Sequence, residues 1–159
     1  MGVVEQSSAN VEACLSSLEV GFGSVSVNQT TFGVPPDRYE YVRDEMEGCA
    51  DLYAKVYNDD DQVLHLLEDG DGELPRTTGA PDDSLIRTVR RQVRARTGVK
   101  CKIEAIEQAT IVGIRDVEHD DRDTLYRLSV VFEGSQRAGS PNQHADWQDA
   151  VTTPDKIYA

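Results

Sequence analysis

The chain contains 159 residues, with 29 acidic against 16 basic side chains and a formal net charge of -13. This length is typical of one domain with a substantial core, and no apolar run approaches the roughly 20 residues that a membrane-spanning helix needs. A surface this acidic repels phosphate backbones and anionic lipids, so the composition argues against non-specific nucleic-acid binding and against attachment to anionic membranes.

The acidic excess is typical of a protein adapted to concentrated salt. The sequence holds 17 Asp and 12 Glu but only 4 Lys. Acidic clusters at 59–61 and 120–121 repel one another in dilute buffer, but they are screened when the Debye length falls to about 3 Å. We therefore interpret the acidity as an adaptation to the solvent. The N-terminus lacks the basic and apolar segments of a secretory signal, so we expect a cytoplasmic location.

The first 48 residues predict a helix, a strand and a second helix. Apolar residues recur at helical spacing over 10–19, with Asn10 as the expected N-cap, and a glycine pair ends this helix. An alternating strand pattern follows over 24–34. After two prolines, the pattern predicts a helix over 37–46, capped by Asp37. We expect 1–48 to form an N-terminal helical extension of the domain rather than a separate domain.

Strand patterns dominate the chain from residue 51 onwards. Two strands, 52–57 and 63–67, form a predicted hairpin with an acidic turn. A long loop over 73–83 leads to a helix over 84–97, which Gly98 closes. Further strand patterns lie at 102–106, 109–114 and 126–132, and an acidic loop lies at 116–123.

This order of elements predicts an α/β fold in which a mixed sheet packs between helices. We place the main domain at 49–152 and treat 153–159 as a tail. The cysteines, Cys14, Cys49 and Cys101, are odd in number and widely spaced, which supports neither a zinc ribbon nor a disulfide framework. The three histidines are equally scattered, so we expect no dedicated metal site.

The segment 74–99, LPRTTGAPDDSLIRTVRRQVRARTGV, resembles the Nudix box. That box is Gly, five residues, Glu, seven residues, then Arg-Glu-U-x-Glu-Glu-x-Gly-U, where U is a bulky aliphatic residue. Asp83 falls on the first Glu, Arg91 on the Arg and Gly98 on the closing Gly. The resemblance covers roughly 50–150 and is greatest to acidic, haloarchaeal Nudix proteins. It implies a Nudix-like α/β/α sandwich with a mixed β-sheet.

The departures from this box concern its chemistry. Thr77 replaces the first glycine, and Gln92, Ala95 and Arg96 replace the three glutamates that hold divalent ions against a pyrophosphate in an active member. Mg²⁺ needs oxygen ligands, which these residues no longer supply as carboxylates. The formal charge of the three positions also changes from about -3 to +1, which reverses the attraction for a dication. Asp83 alone is a weak remnant of a metal site. The resemblance therefore implies a degenerate box with little or no pyrophosphohydrolase activity.

The same helix carries a stripe of arginines. Arg87, Arg90, Arg91 and Arg94 recur at i, i+3, i+4 and i+7 and therefore share one face, and Arg96 follows them. Guanidinium groups bind phosphate in a bidentate manner without any metal. We expect a nucleotide or phosphate ligand to bind through Arg87, Arg91, Arg94 and Arg96.

Three alternatives remain open. In the first, the stripe is a solvated face that pairs with Asp82, Asp83 and the acids at 120–123. In the second, the chain is a Mg- or Mn-dependent hydrolase of nucleoside diphosphate-linked compounds, with metal ligands relocated to Asp83 and 116–123. In the third, the domain is an interaction module with no small-molecule ligand, and its protein partner is unknown. Glutamates outside the box are candidate bases for the hydrolase: Glu104, Glu107 and Glu118.

Overall fold

A computed structural model describes residues 3–67 and 72–149, and within these ranges it contains three helices and seven strands. The predicted tail at 153–159 lies outside the described residues. None of the described helices has the length and hydropathy that crossing a bilayer requires. The elements in chain order are α1 Val3–Phe22, β1 Val27–Val34, α2 Pro36–Asp44, β2 Ala50–Tyr57, β3 Val63–Leu66, β4 Arg76–Gly79, α3 Leu85–Thr97, β5 Lys100–Asp116, β6 Leu125–Ala138 and β7 Ala145–Gln148.

The strands form one mixed sheet in the order β1-β5-β6-β2-β3-β7, with β4 also paired to β2. β1 runs parallel to β5, and β6 runs parallel to β2. β5 and β6 are antiparallel, as are the partners of the β2–β3 hairpin. One edge of β2 is shared, since β4 pairs with its first half and β3 meets only its last residue. β2 therefore connects the two halves of the sheet.

Helices α1 and α3 cover one face of this sheet. Alternate residues of β2 and β6 point to this face, as the strand period requires. The two helices meet where the Ile86 side chain lies 3.7 Å from the position that a Cβ would take on Gly21. The core between helices and sheet is formed by Val11, Cys14 and Leu18 of α1, Leu85, Val89 and Val93 of α3, and strand residues that include Leu52, Val56, Leu128, Val130 and Phe132.

Helix α2 packs on the opposite face, which confirms the predicted arrangement of a mixed sheet between helices. Tyr39 and Val42 of α2 bury a smaller cluster with Val112 and Ile114 of β5. The division into 1–48 and 49–152 stays a prediction. The structure adds that α1 shares the main core and that β1 belongs to the main sheet.

Two helices begin differently from the predictions. α1 begins at Val3, and Asn10 lies inside it, where its side chain accepts a hydrogen bond from Gln6 at 3.0 Å. The N-cap of α2 is Pro35, and no side chain caps this end. The prediction that Asp37 caps α2 was wrong, because the fixed φ of proline already suits the first helical turn.

Two strand predictions also need correction. The patterns at 102–106 and 109–114 belong to one strand, β5, which pairs with β6 through three register shifts. Such irregularities bend a strand without ending it. The predicted loop at 73–83 contains the short strand β4, whose sequence Arg-Thr-Thr-Gly has no apolar alternation. Pairing with β2, and not its own pattern, makes this segment a strand.

A buried ion pair joins the central strands β2 and β6. The carboxylate of Asp51, which is fully buried, accepts hydrogen bonds from Nε and Nη2 of Arg127 at 2.9 and 3.0 Å. Arg127 also donates to the carbonyls of Gly48 and Glu47 at 2.8 and 3.1 Å, in the turn before β2. Arg76 of β4 donates to the same carboxylate at 3.1 Å. One carboxylate thus ties three strands and a turn together.

Replacing Arg127 by Met should therefore lower the free energy of unfolding by about 3–5 kcal/mol, because Asp51 stays buried without its main partner. The measurement is urea denaturation in concentrated KCl. The control is Asp120→Asn, which removes an exposed ion pair with Arg115 at 3.8 Å and should cost less than about 1 kcal/mol. Equal losses in the two variants would contradict the role given to the buried pair.

Candidate functional site

Helix α3 presents an apolar face to the sheet and a basic face to solvent. Ser84 is its N-cap, since Oγ accepts a hydrogen bond from the Arg87 amide at 3.4 Å. Gly98 ends the helix at φ 81° and donates its amide to the Arg94 carbonyl at 3.0 Å. Both predicted ends of this helix are confirmed. Its buried residues are Leu85, Val89, Val93 and Thr97.

The stripe arginines line one open cleft beside the start of β5. The cleft has a volume of about 600 Å³. A lysine that follows the end of the helix adds a fifth cationic side chain to its walls. The lining residues are Arg87, Arg90, Arg91, Arg94, Ala95, Lys100 and Cys101.

Three of these arginines have no acidic partner among the residues that the structure describes. Within the part of the chain that the structure describes, no carboxylate lies at ion-pair distance from Arg87, Arg91 or Arg94. Arg90 is held in place, because its Nε donates to the carbonyl of Cys101 at 3.2 Å. All four side chains remain exposed. Three guanidinium groups are therefore available to an anionic ligand.

Arg96, the other predicted anion ligand, does not line this cleft. It is half-buried, and its carbonyl accepts a hydrogen bond from Asn142 Nδ2 at 3.1 Å. Arg90 and Lys100 take part in the cleft instead. Sequence reasoning missed Lys100 as a residue of the cleft. The one signal for it in the sequence is that it follows closely on Gly98, which ends α3.

Of the remaining box positions, Asp83 alone carries a carboxylate. Asp83 is exposed before α3, where Oδ2 accepts a hydrogen bond from the Ala80 amide at 3.0 Å. Thr77 lies on β4, Gln92 is half-buried, and Ala95 is exposed in the cleft. Among residues 3–67 and 72–149, no group of three or more His, Cys, Asp or Glu side chains is placed to hold a metal ion. Asp83 therefore serves to close the loop before the helix.

The acidic loop at 116–123, the second predicted source of metal ligands, forms its own cluster beside α2. The buried Asp116 carboxylate lies 2.9 Å from His119 Nδ1 and 3.3 Å from Arg122 Nη1, and it accepts the Glu118 amide at 2.9 Å. Burial raises the pKa of Asp116, but the hydrogen bonds from Glu118 and His119 and the charge of Arg122 outweigh it and lower the pKa below its ordinary value. The partners of this carboxylate all belong to its own loop.

The candidate acids are not brought together. Asp83 precedes α3 on one side of the sheet, whereas Asp116 belongs to the cluster beside α2 on the other. Glu107 forms an ion pair with Lys55 at 2.7 Å. Glu104 accepts a hydrogen bond from a serine of β6. Each acid thus has its own local contacts and they share no common site.

No protein-family model matches the sequence, and no curated protein matches it. The fold is similar to that of a UDP-X diphosphatase at 13% identity, with a TM-score of 0.47 over 72% of this chain and 59% of that one. It is similar to a Nudix hydrolase from Nitrosomonas europaea at 18% identity, with a TM-score of 0.44 over 65% and 73% of the two chains. It is also similar to the Nudix domain of NrtR from Shewanella oneidensis, solved with ADP ribose, at 19% identity and a TM-score of 0.42 over 70% and 82%.

The state of Asp116 generates a prediction about acid stability. Its pKa is lower in the folded protein than the value of about 3.9 in unfolded chains. Its contribution to stability is therefore complete above that value and is lost as the pH falls through the folded pKa. Asp116→Asn should lower the unfolding free energy at neutral pH and reduce its decline in acid.

Urea denaturation over a series of pH values from roughly 7 to 3 measures both effects. Asp121→Asn is the matched control, since Asp121 is an exposed acid of the same loop. Parallel pH profiles for wild type and Asp116→Asn would contradict the role given to Asp116.

Proposed function

We propose that this chain is a degenerate Nudix-superfamily protein of a salt-adapted cytoplasm that binds the phosphate groups of a nucleotide or related compound without hydrolysing them. The observation that carries the proposal is that the guanidinium groups of Arg87, Arg91 and Arg94 lie in one open cleft and have no carboxylate partner among the described residues. Unpaired cations are unusual on a protein with a net charge of -13. They provide a local site for an anion on an otherwise repulsive surface.

The spacing of these arginines suits a ligand with adjacent phosphates. Residues three and four apart on a helix are neighbours, with about 5–6 Å between their Cβ atoms. Guanidinium forks at that spacing reach the same phosphate or two linked ones, and each fork makes two parallel hydrogen bonds. Lys100 adds a mobile donor, while Arg90 is fixed by the Cys101 carbonyl. The cleft volume of about 600 Å³ suits a small-molecule ligand.

Binding without turnover is supported by the residues at the box positions. A Nudix-type reaction needs carboxylates that gather divalent ions, which polarise the phosphorus centre and activate water. Gln92 and Ala95 carry no charge, and Arg96 places a positive charge where a dication would bind. The carboxylate of Asp83 accepts a hydrogen bond from the Ala80 amide. Arginines neutralise a pyrophosphate but supply no metal-bound hydroxide, so the ligand would be held intact.

The binding test uses ADP-ribose as the probe, titrated by calorimetry over a series of KCl concentrations. Exchanging both Arg91 and Arg94 for Gln should weaken binding at least about tenfold, because each charged hydrogen bond contributes about 1.5–3 kcal/mol. The control exchanges Arg115 and Arg137 for Gln, which gives the same change in net charge outside the cleft. Equal weakening in both double variants would show a general charge effect and contradict the assigned site.

A turnover assay separates this proposal from the hydrolase alternative. Folded protein is incubated with nucleoside diphosphate derivatives in concentrated KCl with Mg²⁺ or Mn²⁺, and we expect no product. Product formation that a chelator abolishes would overturn binding without turnover and would favour relocated metal ligands. Failure of wild type to bind any probe would overturn the proposal and favour an interaction module.

Restoring the box carboxylates tests the assignment of the box itself. The triple variant Gln92→Glu, Ala95→Glu and Arg96→Glu should raise the affinity for Mn²⁺ by about tenfold or more, because three carboxylates return to one side of the helix. Calorimetric titration in KCl measures this change. The control, Arg115→Glu with Arg137→Glu, alters the net charge equally. The same gain in the control, or none in the triple variant, would show that the box assignment is wrong.

A further inference from the structure

Two cysteines from distant parts of the chain meet beneath a second cavity. Cys14 lies on α1 and Cys49 lies one residue before β2, and their Sγ atoms are 2.9 Å apart. A disulfide bond requires about 2.05 Å, so an approach of about 0.9 Å brings the two sulfurs to bonding distance. The packing of α1 on the sheet holds them together, since both residues belong to the main core.

The two sulfurs differ in access. Cys49 lines an open cavity of about 320 Å³ between α1, the turn after α2 and β6. Cys14 is fully buried and does not line it. Ser7, Asn10 and Arg127 are among the other lining residues. A small molecule that enters this cavity therefore reaches Cys49 first.

The two thiols also differ in acidity. The contact with the Cys14 sulfur lowers the pKa of Cys49, and the charge of Arg127 adds to this effect, while burial and the charge of Asp51 oppose it. The same contact, together with burial, raises the pKa of Cys14. Cys49 is therefore the more acidic of the two thiols. Thiolates, and not thiols, are the reactive nucleophiles.

We propose that Cys49 and Cys14 are a peroxide-reactive thiol pair that closes into a disulfide between the start of β2 and α1. This site is separate from the arginine cleft and does not depend on the function assigned there.

The reaction balances with one peroxide. The Cys49 thiolate attacks one peroxide oxygen and breaks the O–O bond, which forms a sulfenic acid and releases an alcohol or water after protonation. The Cys14 thiol then passes its proton to the departing hydroxide as its sulfur attacks Cys49 Sγ, so the S–S bond forms from a developing thiolate and the hydroxide leaves as water. Two thiols are oxidised and one peroxide is reduced.

Cys101 provides an internal comparison. It is buried on β5 in the wall of the arginine cleft, and burial raises the pKa of its thiol. Among the described residues, no hydrogen bond joins it to another sulfur. An oxidant should therefore distinguish it from Cys14 and Cys49 within the same folded chain.

The experiment exposes the full chain to hydrogen peroxide in concentrated KCl, then alkylates free thiols in urea and maps the peptides by mass spectrometry. Reactive thiols should fall from three to one, with Cys14 linked to Cys49 within one chain and Cys101 alkylated. The closed loop should raise Tm by about 6–12 °C, reversed by dithiothreitol. Cys101→Ser should behave as wild type, and Cys14→Ser should leave a sulfenic acid on Cys49 that dimedone traps.

Mapping of the wild-type chain decides the outcome even if a variant fails to fold. Persistence of all three thiols, higher oxides on Cys49 beside a free Cys14, disulfides between chains, or oxidation of Cys101 at the same rate would each overturn the proposal.

Discussion

The buried pair between Asp51 and Arg127 is the constraint on which the rest of the structure depends. A carboxylate and a guanidinium group can be removed from water only when their polar atoms find partners, and here those partners lie on three strands and a turn. Every other strand attaches to β2 or β6 directly or through a neighbour. Arg76 fixes β4, which leads into α3, and Arg127 borders the cavity of Cys49. Arg127 thus lies beside the thiol pair, and Arg76 anchors the strand that precedes the helix of the arginine cleft.

The distribution of charge explains how an acidic protein presents a basic site. Asp51, Asp83 and Asp116 are held by partners of their own and do not reach the cleft. At long range the net charge of -13 repels an anion, but concentrated salt screens that repulsion within about 3 Å. Contact hydrogen bonds act inside that distance. The proposed ligand would thus be selected by its fit to the guanidinium forks and not by long-range attraction.

Helix α3 was predictable because every local signal agrees: a capping serine, an amphipathic period and a closing glycine. The arginine stripe followed from the same period. β4 was missed because its strand state comes from β2, and Lys100 was missed because its place in the cleft depends on the turn after Gly98. The contact between Cys14 and Cys49 and the pair between Asp51 and Arg127 join distant segments. Spacing along a chain carries no signal for such contacts, which packing alone creates.

The turn at Gly98 explains why a glycine closes the segment 74–99. Its φ of 81° suits glycine, and a Cβ there would stand 3.0 Å from the Ser140 carbonyl, while the adjacent Thr97 carbonyl accepts the Asn142 amide at 2.8 Å. The fold of this turn therefore requires glycine at position 98 whatever chemistry the helix carries, so this glycine is not by itself a sign of catalysis.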